Sequence, residues 1–145
     1  MVLVLERTTN TQCVPKGPFM AAMKIMRIVL IGSVLTMLVQ ATFAGKMLGG
    51  DDQAANLHEM TAKVLVLLGC VQLGMAILLR SMNLCPRWLV AASALLLIAE
   101  VAEFAMGHLH YVMVHVPLGV GIFGGAVRQL VWSVMQRDEG RESRA

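Results

Sequence analysis

Four histidines, His58, His108, His110 and His115, stand out in a chain of 145 residues that is 57% hydrophobic and 14% charged. His58 and His115 each fall about one helical turn inside the start of a long apolar run. Those two runs point the same way, so their imidazoles can meet at equal depth. Haem iron accepts histidine on both faces, and helix bundles build cofactor sites from inward side chains of opposed helices. Small residues follow on each histidine's own helical face: Ala62 and Gly69 after His58, Gly119 and Ala126 after His115. They leave room for a flat porphyrin. The competing reading is structural. In it the glycines serve close helix contact, with Gly121 and Gly125 forming a GxxxG pattern suited to homo-oligomers, and the histidines hydrogen-bond Glu100 or Glu103.

The other polar residues gather at the same level. Glu100 and Glu103 lie one turn apart in an apolar run, and Gln40 reaches that depth from the first run. An ionisable group in hydrocarbon is costly and turns toward the bundle interior. The two carboxylates could carry protons, orient a ligand histidine through its second N–H, or pair with Lys46 and Lys63. Lys46 and Lys63 are also at the depth where haem propionates would lie. His108 and His110 form an H-x-H pair near Asp51 and Asp52, a ligand set suited to copper or zinc, although interfacial histidines are more often simply solvated. Arg128 lies thirteen residues after His115, about 20 Å along a helix, and is expected to snorkel toward headgroups. Pro117 predicts a bend or a helix start beside His115. The 12 methionines are spread at helical spacing and read as packing residues. Cys13, Cys70 and Cys85 suggest neither a disulfide nor a CxxC metal clip.

These residues must be positioned by elements that live in lipid. The mean hydropathy is +0.71, and a soluble domain of this size could not hide such an excess in its core. The absence of polar/apolar alternation argues against a membrane β-barrel. Four runs are long enough to span a bilayer as helices, 25–44, 57–79, 88–106 and 111–135, joined by short loops at 45–56, 80–87 and 107–110. The expected fold is therefore all-α, an integral membrane four-helix bundle. Residues 1–22 are expected to be a disordered arm, 23–136 the four-span domain and 137–145 a polar tail, with Met20 and Met23 as alternative starts. Lys24, Arg27, Arg80, Arg87 and Arg137 fall on one side, which places both termini in the cytoplasm by the positive-inside rule. The first run also has features of a signal peptide, but its removal would put the basic loop and the basic tail on opposite sides, which favours a retained helix. The formal net charge of +3 reflects this bias, and with no basic stripe interleaved with aromatics, no nucleic acid partner is expected. The expected location is the bacterial plasma membrane.

The second half echoes the first. Val39-Gln40-Ala41-Thr42-Phe43-Ala44-Gly45 precedes His58 as Val101-Ala102-Glu103-Phe104-Ala105-Met106-Gly107 precedes His115. Two pseudo-repeated helical hairpins are expected, with the polar layer between them. With His58 and the segment His115-Val116-Pro117-Leu118-Gly119 near the starts of the second and fourth helices, the chain resembles one four-helix half of the haem A synthase family. It is also similar to small four-span proteins with a Q-x-x-x-A-G element, here Gln40 to Gly45. The resemblance covers roughly residues 25–135 and implies a bis-histidine haem b at His58 and His115. The synthases use two such halves, so one half alone does not imply their haem oxidation. The leading expectation is a haem protein that transfers electrons or handles or senses haem, with a redox partner. The alternatives are a non-catalytic assembly subunit docked on a larger membrane complex, and a metal-handling or proton-conducting protein. No nucleophile constellation, P-loop or dinucleotide fingerprint assigns an enzyme class.

Overall fold

The computed structural model describes the backbone of residues 16–142 and the side chains of residues 21–135. It contains α1 (Lys16–Leu48), α2 (Asp52–Ser81), α3 (Arg87–His108) and α4 (Val112–Glu142), and no strand among the described residues. Each helix packs on its two neighbours around a square: α1 on α2, α2 on α3, α3 on α4, and α4 back on α1. All four are long and apolar enough to cross a membrane. Large aliphatic side chains such as Ile28, Leu67, Leu95, Ile98 and Val120 point outward. This is an integral membrane four-helix bundle, and its four alternating helices put Lys16 and Glu142, the ends of the described backbone, at the same end.

The helices are longer than the apolar runs. The helix α1 begins at Lys16, inside the segment expected to be a disordered arm, and residues 1–15 lie outside the described residues. Pro18 is compatible with this start because a first-turn proline forfeits no intrahelical bond. The helix α4 likewise runs through the expected polar tail to Glu142, and residues 143–145 are outside the described residues. The first loop shrinks because Asp51 caps α2, its side chain accepting from the Ala54 amide at 3.1 Å. Pro117 neither starts nor breaks α4, since the helix begins five residues before it, at Val112.

Three turns close the bundle by one device. After α1, α2 and α3, a residue in the left-handed region donates its amide three residues back, and the next residue's amide reaches five back. The left-handed residues are Gly50, Asn83 and His110, with φ of 90°, 56° and 60°. Glycine is the usual residue there, and asparagine and histidine are among the side-chain-bearing residues that adopt it more often than most.

The bundle has three levels. At the termini end, Met23, Met26, Leu30, Ala76, Leu79, Cys85 and Leu89 form a dry core. Beside it Trp88 and Trp132 meet edge to face, 5.2 Å apart, and the Arg128 guanidinium lies 5.4 Å from the Trp88 ring centre. At the middle, each helix gives one buried polar residue, Ser33, Gln72, Ser93 and Gln129. Gln72 Nε2 donates to Gln129 Oε1 at 3.0 Å, and Ser93 Oγ donates to the same oxygen at 3.1 Å. Gln129 Nε2 itself is buried without a partner; the bonds to its Oε1 still favour one register, because sliding a helix would strand that acceptor and its donors as well. The third level, toward the other end, is hollow.

Candidate functional site

A cavity of about 780 Å³ occupies that third level, walled by all four helices. Its size is in the range of small-molecule and cofactor sites. His58, His108, His110 and His115 all line it, as do Gln40, Glu100, Glu103, Ala62 and Gly119. Among the described residues, no lysine or arginine does.

The two helix histidines are held alike. His58 Nδ1 is 3.1 Å from the Gln40 carbonyl oxygen, and His115 Nδ1 is 3.0 Å from that of Glu103. A carbonyl only accepts, so each Nδ1 carries a proton, and in the neutral imidazole the lone pair is then on Nε2. The ring centres are 6.2 Å apart with planes at 67°. The side chains of the same two residues reinforce the hold. Gln40 Nε2 lies 3.4 Å from His58 Nε2, and its Oε1 accepts from the Thr61 hydroxyl. Glu103 Oε1 lies 3.2 Å from His115 Nδ1.

Glycines make room for these groups. A methyl group on Gly119 would meet Glu103 Oε1 at 2.8 Å, and one on Gly107 would meet His115 Cε1 at 3.0 Å. Gly69 lies against the Glu100 carboxyl, so it accommodates a protein side chain and is not on the cavity wall. Ala126 is buried and also off the wall. Of the four small residues on the histidine faces, Ala62 and Gly119 therefore line the space. Gly125 packs against Leu96 of α3, whereas Gly121 faces open space. Glu100 Oε2 and Glu103 Oε2 are buried without a hydrogen-bond partner.

The structure places the remaining candidates as follows. Lys63 Nζ pairs with Glu59 Oε1 at 2.7 Å on the exterior, and neither Lys63 nor Lys46 is on the cavity wall. Glu100 and Glu103 thus pair with neither lysine. His108 stacks on Phe104 with centres 5.6 Å apart. His110 occupies the left-handed turn position. Among the described residues, no group of three or more His, Cys, Asp or Glu could hold a metal ion, so the H-x-H pair and Asp51 and Asp52 do not form a four-ligand cage.

Four polar residues were not singled out by the sequence: Thr61, and Gln72, Gln129 and Ser93 of the middle layer. A signal was present. Gln72 and Gln129 each follow their helix's histidine by fourteen residues, four turns or about 21 Å. The internal repeat therefore pairs histidine with histidine and glutamine with glutamine. No family model matches the chain, and no curated protein or solved structure matches it.

Proposed function

We propose that the chain is a small integral membrane b-type haem protein, with His58 and His115 as axial ligands in the half of the bundle away from the termini. The observation that carries this reading is the 6.2 Å separation of two anchored imidazoles beside a cavity of cofactor size. Two metal–imidazole bonds of about 2 Å, with about 1.1 Å from each nitrogen to its ring centre, put the centres roughly 6 Å apart. The donor set fits as well. Each Nδ1 is protonated against a carbonyl, which leaves Nε2 as the ligating atom, the usual arrangement for a metal-bound histidine. A site for one metal held by two ligands needs no third protein residue when the macrocycle supplies the rest.

When bound, haem supplies a one-electron couple whose potential the surroundings tune. The chain's own residues do the positioning. The Gln40 and Glu103 carbonyls set ring orientation, Glu103 Oε1 adds a second acceptor behind His115, and Gln40 Nε2 must withdraw from His58 Nε2 on ligation. Lys24, Arg27, Arg80, Arg87 and Arg128 cluster toward the termini end, which favours that end in the cytoplasm and the site near the outer face of a bacterial plasma membrane. A redox partner would then approach from the outer side. The resemblance to one half of a haem A synthase belongs to this proposal.

The test is optical. Protein purified after expression with added haem is expected to show a Soret band and a reduced α-band, and His58→Ala or His115→Ala is expected to abolish the bis-histidine spectrum. A folded, colourless wild-type protein would defeat the reading.

A further inference from the structure

We propose that His108 and His110 hold the carboxylates of the macrocycle, so that the cavity selects an acidic tetrapyrrole over a neutral one. This rests on the haem reading and adds to it which groups recognise the edge of the guest.

The argument starts from what the wall can offer an anion. Among the described residues, no lysine or arginine lines the cavity. Lys63, at a suitable depth, is committed to Glu59 on the exterior. The wall also carries Glu59, paired with Lys63, and the carboxyl groups of Glu100 and Glu103, none of which adds a positive charge. The two axial histidines are anchored through Nδ1 and use Nε2 for the metal. Besides the Gln40 amide, which lies against His58, the side-chain N–H donors on the wall for a carboxylate are those of His108 and His110, at the end of the cavity formed by the α3–α4 turn. Hydrogen bonds to an ionised acceptor are the strong ones.

Two further observations bear on these rings. His108 is exposed and stacks on Phe104, with the rings at 29°, which restricts the orientations open to the imidazole. His110 sits at φ 60°, the position filled by Gly50 and Asn83 in the other two turns. A glycine would adopt this backbone at no steric cost, whereas histidine holds it at a penalty. This turn position thus carries an imidazole where the α1–α2 turn has only Gly50, and that imidazole lies on the cavity wall.

The experiment compares binding of haem with binding of its dimethyl ester, whose carboxylates are masked, to the purified full chain in detergent. The Soret band at equilibrium is the readout, and the variants are His108→Gln with His110→Gly. His110→Gly relieves the left-handed strain, so this variant is expected to unfold at a temperature no lower than the His108→Gln single variant. Wild type is expected to prefer haem to the ester by about tenfold or more, and the double variant to lose that preference while binding the ester as before. His108→Lys with His110→Lys is expected to restore the preference for haem. Equal affinities of wild type for the two macrocycles, or an equal loss for both in the double variant, would overturn the proposal while leaving axial ligation intact. Wild type that takes up neither macrocycle overturns the haem reading itself, and this inference with it.

Discussion

The polar layer at mid-bundle yields a coupling energy that can be measured. Gln129 Oε1 accepts from Gln72 Nε2 at 3.0 Å and from Ser93 Oγ at 3.1 Å, and Gln72 Nε2 has only a 3.5 Å contact to Ser93 besides. Gln72→Leu removes one of the two donors and leaves Gln129 Oε1 with the other, so it is expected to cost about 0.6 to 1.7 kcal/mol, the range for interhelical hydrogen bonds in membranes. Gln129→Leu removes the shared acceptor and leaves the Gln72 amide buried and under-bonded, which is expected to cost about 1–3 kcal/mol. Once Gln129 is leucine, removing the Gln72 amide relieves a stranded group. The double variant is therefore expected to be no less stable than Gln129→Leu alone, a non-additivity of about 1 kcal/mol. Ser93 then has its own helix carbonyls to bond. Reversible unfolding of the four proteins in mixed detergent and dodecyl sulfate micelles gives the cycle. Costs that add to within about 0.3 kcal/mol would refute the account of a shared acceptor.

Three further predictions follow from close contacts. Gly119→Ala would drive its new methyl into Glu103 Oε1 and displace that carboxyl from His115, so haem affinity is expected to fall about tenfold, as for other groups behind a metal ligand; Gly121→Ala, into open space, is expected to leave titrations unchanged. Gly125→Ala meets Leu96 Cδ2 at 2.8 Å and is expected to lower stability by about 1–3 kcal/mol in the same micelle assay; a variant as stable as wild type would refute a tight contact there. Burial pushes the Cys85 thiol up against the opposing pull of Arg80; because the thiolate is the reactive form, maleimide labelling in native micelles at pH 8 is expected to be slower than for a free thiol and to rise toward higher pH, and labelling as fast as the free thiol would contradict the buried placement.

Much of the architecture was legible because lipid makes the reading simple. Four apolar runs became four spans, since an unpaired backbone in hydrocarbon leaves helix as the answer for each. The polar residues on those runs, His58, His115, Glu100, Glu103 and Gln40, line one cavity for the same reason: each would be costly against lipid. Helix ends were less legible. Hydropathy stops at the membrane surface, whereas helical bonding continues through residues such as Gln136 and Arg137, good helix formers in water. The turn after α3 was announced by Gly107, although it is His110 that takes the left-handed position. The internal repeat was visible, but in a register one residue off. Matching valines and glycines pairs Ala41 with Glu103, whereas the hydrogen bonds to the histidines make Gln40 the counterpart of Glu103. Lys63 went elsewhere because a long side chain on an exposed face meets Glu59 four residues back on its own helix before it can reach inward. The mid-level glutamines were overlooked because an uncharged amide barely lowers the hydropathy of its run.

The most direct test of the central claim is the electron paramagnetic resonance spectrum of the ferric protein, recorded for wild type and for His58→Ala and His115→Ala separately. Wild type is expected to give a low-spin signal from iron between two imidazoles, and each single variant to convert it to high spin or to lose the haem. A low-spin signal that survives either substitution, or that is absent from haem-loaded wild type, would contradict the assignment of His58 and His115 as the axial pair.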